Sequence, residues 1–130
     1  VLCPVDFSVF SDNAIARLRA TPRVGEAILL FVVSRGETVQ ESEYYERRAE
    51  QRIEKIQRDL ATQGIRAKAL VKRGNPSSEI LRVAEEEDVS AVWMSSVGRG
   101  WFRELLLGST ADAVAVNSRR PVFIIRSKES

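Results

Sequence analysis

Apolar residues along this chain come in two patterns. Segments 26–33 (EAILLFVV), 89–96 (VSAVWMSS) and 121–126 (PVFIIR) are short and nearly continuous, the pattern of strands covered on both faces. Segment 1–6 (VLCPVD) is a briefer run that ends on an acid. Between these runs the spacing turns helical. Ala14, Ile15 and Leu18 share one side of a helix over 7–20, with Ser8 or Ser11 as its cap. Tyr45, Ala49, Ile53, Ile56 and Leu60 recur every three or four residues through a charged stretch, and Gly64 stands where a helix would stop. In 65–74 the period drops to two: Ile65, Ala67, Ala69 and Val71 alternate with Arg66, Lys68, Leu70 and Lys72. That predicts a largely half-polar strand at a sheet edge. Asn75 and Pro76 open a further helix as cap and first residue, and 109–118 reads as the last helix.

The order is β-α-β-α-β-α-β-α-β. Strands alternating with helices predict an α/β fold, a single open, mostly parallel five-stranded doubly wound sheet, flavodoxin- or Rossmann-like, with helices on both faces. The expected strand order is 3-2-1-4-5, and residues 1–130 are expected to form one domain. This order leaves 121–126 at an edge, where the apolar run Val122, Phe123, Ile124 and Ile125 is an association hazard unless covered. A second copy of the chain, paired through 121–126, is the simplest cover. Pro4 has no N–H to give to a central strand. It fits best near the C-terminal end of its strand, where the carbonyls of Pro4 and Val5 can serve something other than the ladder.

Composition narrows the chemistry. Apolar residues make up 44% and charged residues 29% of 130, so a folded core is expected. The net charge of +2 is too small a bias for a nucleic-acid partner. One cysteine and no histidine exclude an internal disulfide, a zinc site built on Cys and His, and a Ser-His-Asp triad. No apolar run approaches the ~20 residues of a membrane span, and no membrane partner is expected. The cytoplasm is the expected location.

In an open α/β sheet, ligands bind beyond the C-terminal ends of the strands where the strand order reverses. That point lies between the first and fourth strands. Asp6 arrives there, with Val32 and Val33, Ser95 to Gly98, and Gly108, Ser109 and Thr110 at the start of a helix. A helix N-terminus attracts anions, and Gly98-Arg99-Gly100 can turn successive N–H groups inward. Asp6 can accept from a ribose hydroxyl or hold Mg²⁺ beside phosphates. The set fits a nucleotide. Each member also has a plainer use: Gly98 and Gly100 in a turn, Ser109 as a helix cap with Asp112 three residues on, Asp6 as a cap for the first helix. The phosphate loop G-x-x-x-x-G-K-[ST] is absent, and position 103, where the dinucleotide fingerprint needs a third glycine, is Arg103. A receiver domain would want an acidic pair after the first strand, an aspartate ending the third and a lysine ending the fifth, but the third strand ends in KRG with no acid near; the loop after the first strand, DFSVFSDN, has serines but no glycine.

Along essentially its whole length the sequence resembles the universal stress protein family. PVDFS, LLFVV and GNPSSEILRVAEEEDVSAVWM resemble its first strand and turn, its second strand, and its third helix with fourth strand. The family's nucleotide motif is Gly, two residues, Gly, nine residues, then Gly-Ser or Gly-Thr. Gly98, nine residues, and Gly108-Ser109 match it, while Ser95 stands at its first glycine. The resemblance implies ATP or AMP as ligand. Pro4, Val5 and Val32 would line the adenine side, and Asp6 would face the ribose or a Mg²⁺ carried by ATP. Gly98, Arg99, Gly108, Ser109 and Thr110 would hold the phosphates, with Met94 and Ser95 beneath the ligand. It further implies a homodimer through the closing strand, which RRPVFIIR resembles. The family also contains members that bind no nucleotide, so an interaction module of the same fold is the alternative. No histidine, catalytic lysine or obvious general base stands at the phosphates, so the expectation is binding, with ATP hydrolysis slow at most.

Overall fold

The computed structural model describes residues 1–6, 9–21, 25–33, 39–96 and 108–126. Its elements are β1 (Leu2–Pro4), α1 (Val9–Ala20), β2 (Glu26–Val33), α2 (Val39–Ala61), β3 (Arg66–Arg73), α3 (Pro76–Glu86), β4 (Val92–Ser95), α4 (Ser109–Asn117) and β5 (Val122–Ile125). The strands form one parallel sheet in the order β3-β2-β1-β4-β5, as the alternation of runs predicts.

The pleat divides the core into two layers. On one face Leu2, Ile28, Leu30, Val92 and Met94 meet Ile80, Val83 and Ala84 of α3 and Ala111 and Val114 of α4. On the other, Cys3, Val5, Ala27 and Leu29 meet Ile15 and Leu18 of α1 and Ile53 and Leu60 of α2. The helix faces read from spacing are the buried ones: Ala14, Ile15, Leu18, Ala49, Ile53 and Leu60 are each at most 5% exposed. Ile56 packs against the same layer. The side chain of Tyr45 lies outside the described residues. Trp93 joins β4 to α1 by donating its indole N–H to the Ala14 carbonyl at 2.9 Å.

Helix ends follow local chemistry. The Asn75 side chain accepts from the Ser78 N–H at the start of α3, with Pro76 first in the helix. Gly64 has φ +80 beyond the end of α2. There Ile65 N–H donates to the Leu60 carbonyl and Gly64 N–H to that of Ala61, closing a Schellman turn over the buried pair Leu60 and Ile65. Ser11 falls inside α1, so it does not cap that helix, because a cap residue precedes the first turn; Ser8 lies outside the described residues.

Candidate functional site

β1 is central, yet it pairs with its two neighbours unequally. Toward β2 the register runs through Leu2, Cys3 and Pro4, and Val5 N–H still donates to the Leu30 carbonyl at 2.8 Å. Toward β4 only Leu2↔Val92 is paired. Leu2 N–H points to that side, donating to the Ala91 carbonyl at 2.9 Å. Strand groups repeat their direction every second residue, so the next donor toward β4 would come from position 4. Pro4 has none. The ladder therefore stops, and β1 and β4 part toward their C-terminal ends, where the strand order reverses.

The far wall of this opening is built by β4 and α4. Ser96 is buried; its N–H donates to the Ile125 carbonyl at 3.0 Å and its carbonyl accepts from Gly108 N–H at 2.8 Å. The start of α4 is thus bonded to the end of β4. Gly108 is the N-cap of α4, with φ −63 and ψ 158 and no side-chain cap. This corrects the reading of Ser109 as a cap: Ser109 is the first helical residue, because the extended backbone of Gly108 already makes the turn into the helix and its carbonyl accepts from Asp112 N–H. The N–H groups of the first turn lack intrahelical acceptors in any α-helix. Here they belong to Ser109, Thr110 and Ala111. Ser109 is exposed and Thr110 half-buried.

Residues expected at the site divide between the two faces of the sheet. Val32 and Met94 belong to the α3/α4 layer, and Pro4 shares that face by its parity with Leu2. Val5 does not: its side chain is 4% exposed in the α1/α2 layer, so only its backbone faces the opening. Val33, 3% exposed, is likewise turned inward. Ser95 follows Met94 in β4, pairs with Ile125, and by the pleat turns to the side of Trp93. Met94 and Ser95 cannot both lie beneath one ligand with their side chains. Asp6 is half-buried just past β1. Gly98 and Arg99, and with them the loop expected to cradle phosphates, lie outside the described residues.

Among the described residues no three His, Cys, Asp or Glu side chains gather as a metal site. Asp6 could therefore contribute to a Mg²⁺ carried by a nucleotide but forms no protein cage for one. Cys3 is fully buried, and burial pushes its thiol up to about 12, so it is no nucleophile. Spacing alone does not reveal the part played by Ser96. Its backbone does the work, and any residue can supply a carbonyl. The one available signal is distance: eleven residues separate two positions that the fold brings within a single hydrogen bond.

Comparison with known proteins gives a consistent result. Residues 1–126 match the family model described as the universal stress protein family. Universal stress protein MJ0577 of Methanocaldococcus jannaschii is 29% identical over 155 aligned positions, covering 100% of this chain and 96% of that protein. A solved structure of MJ0577 superposes with TM-score 0.87 at 31% identity, covering 99% of this chain and 96% of that one. A universal stress protein from Archaeoglobus fulgidus in complex with dAMP superposes with TM-score 0.68 at 19% identity over 96% of this chain and 95% of that one. One in complex with cAMP does so with TM-score 0.63 at 18% identity over 98% and 96%. Among the described residues, no helix is long and apolar enough to cross a membrane.

Proposed function

This chain belongs to the universal stress protein family, and on that premise we propose that it binds ATP or AMP in the opening between β1 and β4. One observation carries the reading: Pro4 ends the β1–β4 ladder at the strand-order reversal, beside the Gly108-capped start of α4. The phosphates would be held by Gly98, Arg99, Gly108, Ser109 and Thr110, with the free N–H groups of Ser109 and Thr110 turned to them. The base would lie toward Pro4, Val32 and Met94, and the ribose or a nucleotide-borne Mg²⁺ toward Asp6. The relatives solved with dAMP and cAMP support an adenine nucleotide as the class of ligand. The role is that of a nucleotide-dependent stress-response switch in the cytoplasm. Occupancy would change what a dimer formed through β5 presents. Turnover would be slow at most.

The rival reading is a nucleotide-free interaction module. Ser95 favours it, since it replaces the first glycine of the binding motif. Equilibrium binding of Mg-ATP and AMP to the full chain separates the two. The nucleotide reading expects saturable binding, lost in Gly108→Arg, whose side chain would fill the start of α4. Absence of binding by folded protein at millimolar nucleotide supports the module. Binding that survives Gly108→Arg would mean that the phosphates lie elsewhere.

A further inference from the structure

The α1/α2 layer carries a cleft of about 340 Å³, on the face of the sheet opposite Val32 and Met94. Two helix ridges form its walls. Asp12, Ile15, Ala16 and Arg19 stand at i, i+3, i+4 and i+7 in α1. Arg52, Lys55, Ile56 and Asp59 repeat that spacing in α2. Ile15, 5% exposed, and Ile56 form the floor, since both pack into the core layer beneath. Ala16 is exposed, and its short side chain leaves the space between the ridges open. The outer charges run from acid to base along α1 and from base to acid along α2. Near the C-terminal ends of the two helices Arg19 pairs with Asp59 at 3.8 Å. Arg52 is engaged as well. Lys55 differs: it is exposed, lines the cleft, and has no carboxylate partner among the described residues. Three cations against two carboxylates leave the cleft with one positive charge in excess.

We propose that this cleft is a second ligand site, which takes a small amphipathic carboxylate with its apolar body on Ile15, Ala16 and Ile56 and its head beside Lys55. The inference goes beyond the nucleotide reading, and the cleft shares no residue with the opening between β1 and β4. Its volume argues for a small molecule. Ligand pockets span roughly 300–1,000 Å³, and this cleft lies at the lower end. It is far smaller than two turns of a partner helix, which would be ~10 Å across. Its charge argues for a monoanion. A carboxylate matches the one unpartnered cation, whereas Asp12 and Asp59 oppose a more highly charged head. Lys55 suits the part: its ammonium is a point charge on a flexible apolar stem, which can follow the floor while the head meets the ligand. A neutral analogue of the ligand keeps only the apolar contact.

Chemical-shift titration of the full, isotope-labelled chain with 4-phenylbutyrate and with neutral 4-phenylbutanamide tests this, because the two share one apolar body. The acid is expected to shift amides of α1 and α2 around the cleft and to bind about threefold more tightly than the amide. Lys55→Gln should remove that difference. Ala16→Leu, which fills the cleft with a good helix former, should weaken both ligands. Both positions are exposed, so the variants should fold, and the rest of each spectrum reports whether they do. Saturating AMP should leave the affinity for the acid unchanged. No shift in the folded chain at millimolar acid would overturn the proposal. So would equal binding of acid and amide, undiminished binding to Ala16→Leu, or shifts that centre on the start of α4 and vanish with AMP. Failure here leaves the nucleotide reading standing, and absence of AMP binding leaves this site standing.

Discussion

Cys3 shows how much a single buried group can couple to solution conditions. It sits in the α1/α2 layer with no exposed surface, and desolvation raises its thiol from 9.0 to about 12. The unfolded chain ionises this thiol near pH 9 while the folded chain keeps it protonated. The raised folded value means that the full stability is present below pH 9 and is lost as pH rises toward 12. Between pH 8 and pH 10 the contribution of Cys3 to urea-unfolding stability should fall, by about 1 kcal/mol. Cys3→Ala lacks that loss, so the stability gap between wild type and variant should narrow by the same amount. A gap that does not change with pH would mean that the thiol ionises equally in both states. The neighbouring site residues were less legible than Cys3. Sequence spacing brings Pro4, Val32 and Met94 to one end of the sheet, but which face a side chain takes depends on strand parity. That parity separates Val5 from Pro4 and Ser95 from Met94.

At the scale of elements, α2 and α3 end in the same device with different residues. Both close on a Schellman turn. In α2 the left-handed position is Gly64, with φ +80; in α3 it is Asp88, with φ 48, where Val89 N–H donates to the Ala84 carbonyl and Asp88 N–H to that of Glu85. Gly64 announces its helix end in the sequence, and the end of α2 was readable from it. Asp88 announces nothing, since a run of acids at the end of a helix looks like more helix. What fixes this end is the burial of Ala84 and Val89 against the sheet. The two positions should respond oppositely to exchange. Gly64→Ala forces a Cβ into left-handed backbone and should cost about 1 kcal/mol in chemical unfolding, although nothing lies within 4 Å of the new atom. Asp88→Gly removes such a strain. It also gives up a pair with Arg120 whose carboxylate is 85% exposed, so little is lost with it. Asp88→Gly should be at least as stable as wild type. A clear loss of stability would show that the Arg120 clamp outweighs the backbone strain.

The two edges of the molecule are treated differently, and this bears on assembly. At β3, α2 shields the edge: Gln57 donates to the Ala67 carbonyl at 2.6 Å and Arg73 pairs with Glu46. The exposed end of that strand is charged, a familiar guard against edge pairing. Among the described residues β5 has no such cover. The carbonyls of Pro121 and Ile125 face β4, so by parity the N–H and C=O groups of Val122 and Ile124 face outward, unpaired among the described residues. Phe123 remains 52% exposed beside Trp93, its ring centroid 5.7 Å from that of the tryptophan. A bare apolar edge of four residues is suited to pairing with its own copy across a two-fold axis, where Val122 and Ile124 of each chain would exchange backbone bonds. Ile124→Pro tests this, because it removes an outward N–H and no bond to β4, at the cost of a side chain that packs against the α3/α4 layer. Sedimentation should give a dimer for wild type and a monomer for Ile124→Pro, with the circular dichroism of a folded α/β chain retained. A wild-type mass near 14.6 kDa would reject pairing through β5. A variant that remains a folded dimer would move the interface to another surface. If the variant unfolds, Phe123→Glu carries the test, since it charges the exposed face of the same strand while leaving its backbone donors in place.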